Sequence, residues 1–145
     1  MARLTTRNVL LVIGAWEASN IVAMLIRVSF IPLSNRLVFT GDAGLVAMWL
    51  WEGFPDAFAA AVASIVSVWV METKKPLVWV GVLAALFLYG GGLNAWKWIR
   101  HGWVTSPTPA DYIGISAQAI IPALVCLVVG VWWTRRSTAL KPAAT

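Results

Sequence analysis

Residues 8–31 read NVLLVIGAWEASNIVAMLIRVSFI, and this stretch decides the class of fold. It exceeds the roughly 20 mostly apolar residues that a helix needs to cross a bilayer, and it ends before Pro32. Three further runs of this kind follow, at about residues 43–71, 77–99 and 112–134. We therefore predict an all-α integral membrane protein, a single domain over residues 1–145 that forms a four-transmembrane-helix bundle with up-down-up-down topology.

The second run, residues 43–71, is longer than one span requires, and it contains Pro55. Proline has no backbone N–H and disturbs the helix around it, so we expect a kink near Pro55 or the start of the membrane-embedded part there. Residues 43–51 then either extend this helix beyond the membrane or lie along the membrane interface.

The composition excludes a soluble domain. Of the 145 residues, 60% are hydrophobic and 12% are charged, which is about half the charged fraction usual in soluble proteins. A mean hydropathy of +0.79 likewise excludes a disordered chain. The net charge of +5 comes from bases that lie between the apolar runs. The positive-inside rule accounts for that pattern, so we expect no nucleic-acid partner.

The distribution of lysine and arginine predicts the orientation. Seven bases lie at the termini and in the turn at 72–76, namely Arg3, Arg7, Lys74, Lys75, Arg135, Arg136 and Lys141. Four lie on the opposite side, namely Arg27, Arg36, Lys97 and Arg100. Because the side richer in bases is normally cytoplasmic, we predict both termini in the cytoplasm, in a multi-pass protein of the inner (plasma) membrane.

Nine of the ten tryptophans fall near the predicted membrane surfaces, and an indole favours the headgroup level. The outer aromatic belt would hold Trp49, Trp51, Trp96, Trp98 and Trp103, and the inner belt Trp69, Trp79, Trp132 and Trp133. Only Trp16 is predicted to lie deep in the membrane.

Polar residues inside the first two spans mark a candidate site. An ionisable residue at the centre of a membrane-spanning helix costs roughly 2.5–3.5 kcal/mol on insertion scales, so we expect each such residue to have a structural or functional role. Glu17, Asn20 and Arg27 fall on one face of the first span at helical spacing. Glu52 and Asp56 lie on a small-residue face of the second span. We expect Arg27 to pair with one of these carboxylates at the mouth, and Glu17 to join Asn20 and a serine, Ser64 or Ser67, deeper inside.

The last two spans add Asn94 and Gln118, each about 10 Å below the outer surface. His101 and Asp111 lie on the rim. The run 90–92 is all glycine, which is typical either of a tight helix crossing or of an unwound segment whose carbonyls face a cavity. Together these residues predict an outward-facing polar vestibule, with its floor near Glu17, over a dry inner half.

No catalytic signature accompanies these residues. The motifs GxSxG, HExxH and CxxC, and a phosphate-binding loop, are all missing from the sequence. Glu52, Asp56, His101 and Asp111 offer the ligand types of an oxygen-rich metal site, but their spacing is not diagnostic. We expect no metal and no cofactor.

Three hypotheses for function follow. The first is a non-catalytic protein that acts by binding, either as an accessory subunit of a larger membrane complex or as a binder of a small ligand. The second is a small oligomeric proton-coupled transporter with Glu17 as the coupling carboxylate. The third is an interfacial lipid-modifying enzyme that uses Glu52, Asp56 and His101. The expected partners are membrane lipid and either further copies of the chain or a larger complex.

Overall fold

The computed structural model describes residues 6–34, 40–71, 75–101 and 108–139. They form four α-helices, α1 (Thr6–Ser34), α2 (Gly41–Val70), α3 (Pro76–Arg100) and α4 (Pro109–Ala139). Each helix is long and apolar enough to cross a membrane, which confirms an all-helical, multi-pass membrane protein. Of the residues named above for orientation and belts, Arg3, Arg36, Lys74, Lys141 and Trp103 lie outside the described residues.

Helix α2 is a single helix from Gly41 to Val70, so residues 43–51 extend it and do not form a separate interfacial segment. Pro55 is buried inside this helix and denies the carbonyl of Trp51 its usual donor. Side chains from two other helices bond to neighbouring carbonyls. Arg27 Nη2 donates to the Glu52 carbonyl at 3.3 Å, and Gln118 Nε2 donates to the Trp49 carbonyl at 2.8 Å. The turn before Pro55 is therefore braced from both α1 and α4.

Helix α4 packs closely against both α2 and α3 because it carries glycine where they approach. A Cβ on Gly114 would overlap the indole of Trp49 on α2. A Cβ on Gly130 would lie 2.5 Å from both Ser64 Oγ and a methyl carbon of Val80. Glycine at these two positions lets the helices come together without a side chain between them.

The glycine run 90–92 is a packing feature. Helix α3 continues unbroken through it, so the unwound-segment alternative is wrong. A Cβ on Gly90 would lie 3.1 Å from the Trp16 ring of α1, and a Cβ on Gly91 would lie 2.7 Å from the Ala119 Cα of α4. Two of the three glycines therefore serve close contacts with two different helices.

The core occupies the half of the bundle that holds the start of α1 and the end of α2. Its members are buried and apolar, apart from the Cys126 thiol: Val12, Ala60, Ala63, Met71, Trp79, Val80, Leu83, Ala84, Phe87, Ala123 and Cys126. At its centre Ser64 Oγ donates to the Cys126 carbonyl at 2.8 Å, and both residues are fully buried. The serine hydroxyl thus has an internal partner in an otherwise apolar environment.

The assignment of tryptophans to surface belts is wrong for two of them. Trp49 is 3% exposed and Trp79 is 5% exposed. The Trp49 ring makes an edge-to-face contact with Trp98, with centroids 5.2 Å apart, and its N–H donates to Asp111 Oδ1 at 3.1 Å. Because that N–H has a protein partner, Trp49 needs no headgroup water and lies inside the bundle.

Candidate functional site

A cavity of about 610 Å³ lies between the four helices. Its walls come from the middle of α1 and of α2, from the second half of α3 and from the first half of α4. Six of the seven residues predicted to bind ligand line it, namely Asn20, Arg27, Glu52, Asp56, Asn94 and Gln118. The seventh, Glu17, is exposed and lies outside the lining. Residues that are widely separated in sequence are therefore brought together in one space.

An ion pair joins two walls of the cavity. Arg27 Nη2 lies 2.7 Å from Asp56 Oδ2, and the same nitrogen also donates to the Glu52 carbonyl. This confirms the expected pairing of Arg27 with a carboxylate of the second span. Since Asp56 neutralises Arg27, these two charges leave no net charge in the cavity.

Two further charged side chains line the cavity, the carboxylate of Glu52 and the ammonium of Lys97. Within the described part of the chain, neither side chain has an ion pair or a hydrogen bond. Glu52 is contributed by α2 and Lys97 by α3. The cavity therefore presents one unmatched negative and one unmatched positive charge, held on different helices.

The two asparagine side chains lie deeper than the charged residues of their own helices, whereas Gln118 lies beside Gly53, next to Glu52. Asn20 is seven residues before Arg27 on α1, which places it about 10 Å further into the bundle, and Asn94 is about 5 Å deeper than Lys97 on α3. Gln118 uses its Nε2 for the Trp49 carbonyl. Both asparagines are exposed, so they offer donors and acceptors to a ligand below the charged level.

The floor of the cavity is apolar. It includes Trp16, Phe87, Ala59 and Pro122, and the Trp16 ring lies against Gly90. Phe87 belongs to the core as well as to the lining. The polar part of the cavity therefore ends at the aromatic rings of Trp16 and Phe87, and the apolar core lies beneath them.

Two sequence-based expectations about Glu17 are therefore wrong. The floor is formed by the neighbouring residue, Trp16, because the indole and not the carboxylate turns toward α3. The expected contact of Glu17 with Asn20 and a serine is not made: Ser64 bonds to the Cys126 carbonyl instead, and the buried Ser67 hydroxyl has no hydrogen-bond partner among the described residues. Glu17 lies on the exposed side of α1.

The two rim candidates lie outside the cavity lining. His101 is exposed and caps α3, where its backbone N–H donates to the Lys97 carbonyl at 3.0 Å. Asp111 is 7% exposed. Its Oδ2 accepts from Thr108 N at 2.9 Å and from Thr108 Oγ1 at 2.8 Å, while Thr108 Oγ1 accepts from Asp111 N. This reciprocal pattern is a capping box with Thr108 as the N-cap and Asp111 as its partner in the first turn of α4, and Asp111 also accepts the Trp49 N–H.

Of the four residues with the ligand types of a metal site, Glu52 and Asp56 line the cavity, whereas His101 and Asp111 lie outside its lining. Asp56 is paired with Arg27 and Asp111 is engaged in the capping box. No group of three or more His, Cys, Asp or Glu residues that could hold a metal ion occurs among residues 6–34, 40–71, 75–101 and 108–139.

Two residues of the lining with large polar or aromatic side chains, Trp16 and Lys97, are not among the predicted site residues. Both carry a signal in the sequence. Trp16 is four residues before Asn20, and Lys97 is three residues after Asn94, so each shares a helical face with a residue that was selected.

No protein family, curated protein or solved structure matches this chain. Its function is therefore argued from the geometry of the cavity.

Proposed function

We propose that this chain is a multi-pass protein of the plasma membrane that binds a small ligand in the cavity between its four helices. One observation carries the proposal: a cavity of about 610 Å³ lined by Glu52, Lys97 and two accessible asparagines above an apolar floor. Ligand sites typically measure about 300–1,000 Å³ and combine apolar walls with a few polar groups. Glu52 is half-buried and Lys97 is exposed, so both charged groups are accessible to a ligand that enters the cavity.

The order of contacts along the helices supports up-down-up-down topology. Trp49 and Ser64 of α2 meet Asp111 and Cys126 of α4 in the same order along the chain. Between α3 and α4 the order is reversed, since Gly91 meets Ala119 whereas Val80 meets Gly130. Together with the excess of bases at the termini, this arrangement supports our proposal that the termini are cytoplasmic and that the cavity opens at the outer face.

The chemistry of the lining supports binding over catalysis. The lining contains no histidine and no cysteine, and one of its two carboxylates is neutralised by Arg27. Cys126, the single cysteine of the chain, is fully buried below the floor. The lipid-modifying alternative requires His101 beside Glu52 and Asp56, and His101 lies outside the lining.

The surface of α1 supports a larger assembly. Only 17% of its span is buried, against 39% for α2 and for α4, so α1 has most surface left for lipid, a second copy or another subunit. Glu17 lies on this surface. The transporter alternative therefore requires an oligomer, in which a neighbouring copy would enclose Glu17.

The test compares a variant that fills the cavity with one that does not. Asn20 and Ile21 are adjacent and both exposed, but only Asn20 lines the cavity. We expect native mass spectrometry, after release from polymer-extracted native membrane, to detect a bound small molecule in the wild type and in Ile21→Trp. It should be absent from Asn20→Trp. Equal retention by Asn20→Trp would refute the proposal, and circular dichroism of both variants controls for folding.

The same preparations address the assembly. Size determination in mild detergent reports whether the chain arrives alone, as a homo-oligomer or with another subunit. A stoichiometric larger partner supports the accessory-subunit form of the binding proposal and argues against an independent transporter. If the chain arrives alone, Glu17→Gln with unchanged pH-dependent uptake in vesicles removes Glu17 as a coupling residue.

A further inference from the structure

The unmatched charges of the cavity restrict the ligand. Glu52 offers a carboxylate and Lys97 an ammonium, while Arg27 is already paired with Asp56. A ligand with a single negative charge would satisfy Lys97 and leave Glu52 bare. A simple cation would pair with Glu52 and leave Lys97 without a partner. A ligand that carries both signs satisfies both side chains, and a group with N–H bonds can donate to Glu52 as well as attract it.

The cavity also reaches the side of the bundle. Met24 of α1 is 56% exposed and Leu93 of α3 is 41% exposed, yet both line the cavity. Asn20 and Asn94 are exposed on the same two helices. An apolar edge on α1 and another on α3 therefore flank the polar space where the bundle meets the acyl chains of the membrane. An apolar chain can leave the cavity between them without entering water.

We infer that the ligand is a zwitterion whose ammonium group binds Glu52 and whose anionic group binds Lys97, with an apolar chain attached at the anionic end. The inference rests on the proposed binding function and adds the chemical class of the ligand. The depth of the asparagines fits this class, because Asn20 lies two turns below Arg27 and Asn94 about one turn below Lys97. There they meet the ester or hydroxyl groups that join a zwitterionic head to an acyl chain.

Phosphatidylethanolamine has this chemistry, and its soluble counterpart is glycerophosphoethanolamine. Phosphatidylglycerol lacks the ammonium, and phosphatidylcholine has a quaternary nitrogen without N–H donors. Comparing these four compounds tests separately whether binding requires the zwitterionic charge pattern, the N–H donors and the acyl chain. Delipidated protein in detergent is offered an equimolar mixture of the three phospholipids with identical acyl chains, and the bound lipid is identified by native mass spectrometry. Glycerophosphoethanolamine is offered in a separate sample.

We expect the wild type to retain phosphatidylethanolamine about tenfold more than either other lipid, the ratio expected for one charge-assisted hydrogen bond. Glu52→Gln should abolish the preference over phosphatidylglycerol, and Lys97→Gln should lower retention of all three lipids. Glu17→Gln is the matched control, because Glu17 is outside the lining. It should keep the full preference. If only the lipid binds, the apolar chain is part of the recognised ligand; if glycerophosphoethanolamine binds with similar affinity, the zwitterion comes from water and the apolar chain of the inference is refuted.

The outcomes separate this inference from the proposed function. Equal retention of phosphatidylglycerol and phosphatidylethanolamine, lost in Asn20→Trp, would overturn the zwitterionic ligand and leave the binding site standing. Retention of no molecule from membrane or mixture would overturn both. A preference over phosphatidylglycerol that persists in Glu52→Gln, or unchanged retention of all three lipids by Lys97→Gln, would also refute the assignment. Because the two residues lie on different helices, misfolding of one variant leaves the other as a test.

Discussion

Replacing Gly91 by alanine should weaken the contact between α3 and α4. The added Cβ would lie 2.7 Å from the Cα of Ala119 and 2.9 Å from its carbonyl oxygen. Ordinary contact begins at 3.4 Å, so the two helices must separate by about 0.7 Å at this level. The obstacle is backbone, which cannot rotate away as a flexible side chain can. We expect a loss of about 1–3 kcal/mol in the free energy of unfolding, the usual cost of overpacking.

The neighbouring glycine provides the control. A Cβ on Gly92 meets nothing within 4 Å. Gly92→Ala should therefore be neutral or stabilising by up to about 1 kcal/mol, since alanine favours the helix. Both variants are compared with the wild type by SDS-induced unfolding, followed by circular dichroism. Equal stability of the two variants, or wild-type stability of Gly91→Ala, would refute the view that the glycine run is a packing device.

Three further predictions concern the ion pair, the start of α4 and the orientation. A double-mutant cycle with Arg27→Gln and Asp56→Asn should give a coupling of about 0.5–1 kcal/mol in unfolding, because both partners are partly exposed; a coupling of zero contradicts the pair. Asp111→Ala should lower the free energy of unfolding by about 2–3 kcal/mol, since it removes a cap and the acceptor of a buried indole N–H; a loss below 0.5 kcal/mol on the same scale argues against both roles. Asn94→Cys should react with a membrane-impermeant thiol reagent on intact cells, whereas the wild type, whose Cys126 is buried, should not; labelling only after permeabilisation reverses the proposed orientation.

The cavity-facing side of α1 shows which site residues helical spacing in the sequence can predict and which it cannot. Asn20 and Arg27 are seven residues apart, two turns, and both line the cavity as expected. Glu17 and Trp16 precede Asn20 by three and four residues, and either spacing is compatible with the same face. The choice between them depends on Gly90, which leaves room for the indole on α3. The contact of Trp16 with Gly90 involves two helices, so the spacing of residues along α1 alone could not predict it.

The prediction that Trp49 lies in the outer aromatic belt is wrong for a related reason. The preference of indoles for headgroups describes tryptophans at a helix surface. Gly114 opens a slot for the ring, and Asp111, one turn earlier on α4, accepts its N–H. Each of these residues is distant from Trp49 in sequence. The number and approximate extent of the helices could be predicted because hydropathy is local, whereas burial at a crossing depends on partners that only the folded chain brings together.

The bracing at Pro55 has a mechanical consequence. In an uninterrupted helix, bending is resisted by bonds within the helix itself. Around Pro55, part of that resistance comes from Arg27 of α1 and Gln118 of α4, whose side chains hold the carbonyls of Glu52 and Trp49. Near Pro55, part of the stiffness of α2 is thus supplied by its neighbours. A displacement of α1 would release one support while the other stayed in place, so that α2 could flex about the level of Gln118 without losing a turn.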